Sequence, residues 1–116
     1  MTPSEIFDTF NEVLGGSVHA DTLEFYSLLA KMALVHKKKG ADYAPADNPL
    51  ANVREAVDAG VEPWRAAWVR ALDKVRRIKT YCQTGKLENE GVEDAWLDMA
   101  AYCLLAHILH SEVKST

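Results

Sequence analysis

Apolar residues recur at three- and four-residue spacing along most of the chain, and no stretch alternates with period two for long enough to suggest a strand. That pattern confines the chain to helices packed against helices. At 116 residues it is long enough for one domain with a hydrophobic core and too short to expect two, so a single domain over residues 1–116 is expected.

The helix boundaries can be read from their punctuation. Thr2, Pro3 and Glu5 supply a cap, a first-turn proline and a capping-box acid ahead of Ile6, Phe7, Phe10 and Leu14, which predicts a short first helix ended by Gly15 and Gly16. A second helix is expected after Ser17 to Asp21, carrying Phe25, Leu28, Leu29, Met32 and Val35. It has a basic end at His36 to Lys39 and a stop at Gly40. The segment GADYAPADNPLANVREAVDAGVEP reads as a structured loop with one or two helical turns near Leu50 to Val57, and such loops are often functional. A third long helix is expected from Pro63 or Trp64 to about Cys82, burying Ala67, Trp68, Ala71, Val75 and Ile78. Thr84 and Gly85 close it, and Asn89 is a plausible cap for the last helix. The expected architecture is an all-α compact bundle of four to five helices with short connections.

The net charge of −4 argues against a general nucleic-acid binder, which displays a basic excess. Met1 to Leu14 has no basic region leading into an apolar one, so no secretory signal is expected. The most apolar stretch, Ala95 to Leu109, is short for a membrane span and is interrupted by Asp98 and His107. A soluble, cytoplasmic protein is the expectation. Cys82 and Cys103 lack CxxC spacing and fall on apolar helix faces, which predicts buried free thiols.

The final helix raises a chemical question. Projected at about 100° per residue, Glu90, Asp94 and Asp98 fall at about 0°, 40° and 80°, while Leu97, Ala101, Leu104, Leu105 and Ile108 span about 320° to 60°. The acids therefore point along the core face. Acids in a first turn serve the helix dipole, which can account for Glu90 and Glu93 and extends at most to Asp94. Asp98 lies beyond that turn, and a withdrawn carboxylate must be paired, hydrogen-bonded or metal-bound. Two carboxylates at i and i+4 suit Mg²⁺, which prefers oxygen ligands, keeps waters and is shared with substrate phosphates. Geometry alone leaves a metal site and an ordinary ion pair both open.

On the third helix Arg70, Lys74, Arg77 and Tyr81 fall within about 60° of one another beside the apolar face. Such a rail can hold phosphates, and it can equally be a solvated helix face. Asp73 is placed to pair with Arg77, and Arg76 points elsewhere. In the loop, Asp42, Tyr43, Asp47, Asn48 and Asn52 offer polar groups and one aromatic face for a ribose or base, or local turn bonds. His107 and His110 lack a Glu-x-x-His pattern and read as satisfied histidines. Asp21 and Glu24 could supply facing ligands from the second helix, although capping by Asp21 is the simpler account.

The ordered segments KGADYAPADNPLANVR, RALDKVRRI and ENEGVEDAWLDMAAY resemble a phage and bacterial nucleotide-modification-associated domain, a branch of the MazG-like all-α NTP pyrophosphohydrolase superfamily. The matching positions are Lys39, Asp42 and Tyr43; Asn48, Pro49 and Asn52; Arg70, Asp73, Lys74 and Arg77; and Glu90, Asp94, Asp98 and Tyr102. The resemblance covers roughly the C-terminal two-thirds of the chain. It implies a Mg²⁺-dependent hydrolase cleaving a (d)NTP to the monophosphate and pyrophosphate, as a homodimer or higher homo-oligomer. Glu90, Asp94 and Asp98 would be catalytic and hold metal, with Glu24 facing them. Lys39, Arg70, Lys74 and Arg77 would contact phosphate, and Asp42, Tyr43, Asn48 and Asn52 the nucleoside. Where the superfamily commonly carries an E-E-x-x-E cluster, this chain has only Asp21 and Glu24, with Lys31 on the same edge. Two other readings stand beside the enzyme: a nucleotide-binding module of the same fold without hydrolysis, and an interaction protein in which acids and bases form a salt-bridge network.

Overall fold

A computed structural model describes the backbone of residues 1–43, 51–87 and 91–114, and their side chains apart from residues 40–43, 51–52 and 114. Among the described residues every regular element is helical: α1 (Pro3–Leu14), α2 (Ala20–Tyr43), α3 (Ala51–Arg54), a 3₁₀ segment (Glu55–Ala59), α4 (Pro63–Thr84) and α5 (Val92–Lys114). No strand occurs among them, in keeping with the all-α expectation. No described helix is long and apolar enough to cross a membrane. The chain divides into two units, Met1–Ala33 and Leu34–Thr116.

In the first unit, α1 starts as its sequence dictates. The Glu5 amide donates to Thr2 Oγ1 at 3.1 Å, the Thr2 amide donates to Glu5 Oε1 at 3.3 Å, and Pro3 occupies the first turn, where its missing N–H costs nothing. The helix ends at Gly15, whose amide donates to the Glu12 carbonyl at 3.3 Å. The start of α2 corrects one expectation. Asp21 does not cap it; the Asp21 amide donates to His19 Nδ1 at 3.2 Å, and the Leu23 amide donates to the His19 carbonyl at 2.9 Å. An imidazole nitrogen thus takes the role usually given to a carboxylate oxygen.

In the second unit, α2 continues through Gly40 to Tyr43. A lone helical glycine costs about 1 kcal/mol relative to alanine, which weakens a helix without stopping it. The 3₁₀ segment ends at Gly60, whose φ of 75° is accessible to glycine, and the Val61 amide donates to the Ala56 carbonyl at 3.1 Å. At Gly85, with φ 76°, α4 ends where the pattern placed its stop.

Helices α4 and α5 form the core of this unit. Trp64 meets His110 edge to face at 5.1 Å, and Lys74 meets Asp98 at the other end of the seam, so the two helices run antiparallel. Between these contacts lie Ala67 and Ala71 of α4 and Leu109 of α5, and Ala95 lies three residues beyond Asp98; these four are the buried apolar residues among those described. Alanines on both sides let the backbones approach closely. This differs from the expected core in detail. Val75 and Ile78 are half-buried and Trp68 is exposed; Leu104 and Ile108 also stand exposed, because the buried line of α5 runs through Leu109 and Ala95, about 40–80° beyond the edge of the projected apolar stripe. Cys82 and Cys103 are free thiols but exposed ones, since neither lies on that line.

Two tethers hold the rest of this unit. Arg54 of α3 pairs with Glu112 near the end of α5, its Nε donating at 3.4 Å and its Nη2 more closely, and this hydrogen bond lowers the Glu112 pKa and raises that of Arg54. At the start of α4, Glu62 accepts from Trp64 Nε1 at 2.9 Å and from Arg65 Nε at 3.1 Å, and these bonds, the Trp64 bond foremost, lower its pKa. The Arg65 guanidinium lies 4.6 Å from the Trp64 ring centre, a cation–π contact that fixes the indole further.

Candidate functional site

Three helices of the second unit each contribute one charged side chain to a common point. Lys39 from α2 donates from Nζ to Asp98 Oδ1 at 3.5 Å, and Lys74 from α4 places its Nζ 3.2 Å from Asp98 Oδ2 on α5. Lys74 and Asp98 retain 15% and 22% side-chain exposure, whereas Lys39 retains 54%. The carboxylate is therefore clamped between a sheltered ammonium and a wet one.

Local sequence explains the placement. Lys74 lies about 20° from the line of Ala67, close enough to the seam for its stem to lie on apolar surface while the ammonium reaches the neighbouring helix. Asp98 lies about 20° from the line of Leu109, at the margin of the α5 core. Asp94 is about 40° further round, because a four-residue step overshoots one turn, and it is exposed. The stripe of acids thus winds away from the seam, and Asp98 is the member turned toward α4.

The other candidate residues separate into three groups. Arg70 is exposed and Arg77 half-buried on α4. Asp73 forms its ion pair with Arg76 at 3.7 Å, an i, i+3 contact, in place of the expected i, i+4 pair with Arg77. Glu24 is exposed and belongs to the first unit. Glu90 and Asn48 lie outside the described residues, as do the side chains of Asp42, Tyr43 and Asn52. The expected cap Asn89 also lies outside them.

Among the described residues two ammonium groups converge on one carboxylate at this point. Lysine ammonium groups bind phosphate as compact point charges with several donors. Asp98 also offers carboxylate oxygens at the same place. Among the described residues there is no group of three or more His, Cys, Asp or Glu side chains arranged to hold a metal ion. Asp98 is the carboxylate that the described side chains bring to this point, and both of its oxygens face lysine ammonium groups.

The sequence reading missed a second feature on α4 and α5. Trp64, Trp68, Cys103, Ala106, His107 and His110 line an open groove of about 360 Å³. Its signal was present in the i, i+4 spacings of Trp64 with Trp68, Cys103 with His107, and Ala106 with His110. His107 is held by Ser111, whose hydroxyl lies 3.4 Å from Nδ1 and donates to the His107 carbonyl at 2.8 Å.

The described residues are all-helical, and the second unit carries a lysine-clamped carboxylate on its α4–α5 pair. No protein-family model, curated protein or solved structure matches the chain.

Proposed function

We propose that the chain is a Mg²⁺-dependent nucleoside triphosphate pyrophosphohydrolase, cleaving a (d)NTP to (d)NMP and pyrophosphate in phage or bacterial nucleotide metabolism. The observation that carries this reading is the convergence of Lys39, Lys74 and Asp98, two residues with a phosphate role and one with a metal role in the pattern the chain resembles. Bound Mg²⁺ would activate water and offset the charge of the departing pyrophosphate. Asp98, with Asp94 one turn away, would hold the ion. Lys74 and Lys39 would exchange the carboxylate for phosphate oxygens, so the clamp keeps the site ordered until substrate arrives. Arg70 and Arg77 continue the positive rail along α4, where a polyphosphate would extend.

The test is a panel of canonical and modified (d)NTPs assayed for pyrophosphate release with and without Mg²⁺. Turnover abolished by Asp98→Asn in folded protein is the expected result. Absence of turnover across the whole panel would remove the proposal.

A second reading, a nucleotide-binding module without hydrolysis, is favoured by the pairing of Asp98 with two lysines. A carboxylate so engaged suits anion binding without requiring a metal. Nucleotide that raises the melting temperature while releasing no pyrophosphate would select it.

A further inference from the structure

We draw no further inference here: the strongest candidate, the open groove on α4 and α5 lined by Trp64, Trp68, Cys103, Ala106, His107 and His110, is an apolar face of the second unit, and nothing in the structure shows what covers it.

Discussion

Lys74 Nζ lies 3.2 Å from Asp98 Oδ2 across the α4–α5 seam, and both side chains are largely withdrawn from water. Lys39 reaches the other carboxylate oxygen from a wetter position. This asymmetry orders the energetic consequences of breaking the cluster.

Replacing Asp98 by asparagine leaves two ammonium groups without their shared anion. Charged hydrogen bonds of this kind contribute about 1.5–3 kcal/mol, and partial exposure places the expected loss of stability near the lower end. Lys74→Met should cost more than Lys39→Met, for which roughly 0–1 kcal/mol is expected. Urea unfolding of the three variants checks the order; equal costs for the two lysines would contradict it. In the hydrolase reading, Asp98→Asn also lowers kcat by about 100-fold or more.

Magnesium and nucleotide should bind as a pair. A dication approaching Asp98 alone meets two ammonium groups, whereas a triphosphate draws those ammoniums away and brings its own negative charge. A non-hydrolysable triphosphate with Mg²⁺ should therefore raise the melting temperature more than either alone. At a concentration about 100 times its Kd, such a ligand contributes about 2.7 kcal/mol. Thermal scans with each component separately provide the control, and a full shift from Mg²⁺ alone would count against the lysine clamp.

Acid should loosen the second unit through Glu62 and Glu112. Their folded pKa values are lowered, Glu62 by the Trp64 and then the Arg65 hydrogen bond, and Glu112 by the Arg54 hydrogen bond. Between the folded values and the ordinary glutamate value of about 4.3, the unfolded chain binds more protons, so stability rises with pH. Their contribution is present above that ordinary value and is lost as pH falls through the folded values. Arg54, raised further, stays charged throughout and adds no slope there. Urea midpoints measured from neutral pH downward should show this fall, with a shallower one in Glu112→Gln.

The seam tolerates little added volume. Ala95 is completely buried between the helices, and Ala95→Leu should destabilise by about 1–3 kcal/mol through overpacking. The same substitution at exposed Ala100 should be nearly neutral. Comparable losses at both positions in thermal unfolding would show that the seam is not the core.

Much of the architecture was legible because its causes are local. The capping box at Thr2 and Glu5, the glycines at 15 and 85, and Pro63 at the start of α4 act within a few residues, and each element begins or ends where those residues place it. Gly40 failed as a stop because a single glycine is a small penalty that a long helix absorbs. His19 escaped notice as the group that receives the Asp21 amide because histidine is an uncommon acceptor at that position. The core was only partly legible. The period of α5 named an apolar side about 100° wide, but the residues buried on this helix, Leu109 and Ala95, lie about 40–80° beyond its edge, leaving Leu104 and Ile108 outside.

The sequence by itself determined that the chain is helical, where α1 and α4 begin and end, and that Asp98 requires a partner. All three follow from periodicity, capping and desolvation, which act within one element. Only the tertiary structure decided that Lys74 and Lys39 are the groups facing Asp98, that Asp94 turns away, and that Asp73 takes Arg76. Those outcomes depend on the rotation of each helix about its axis when its neighbour docks, and a rotation of about 40° separates a clamped carboxylate from an exposed one.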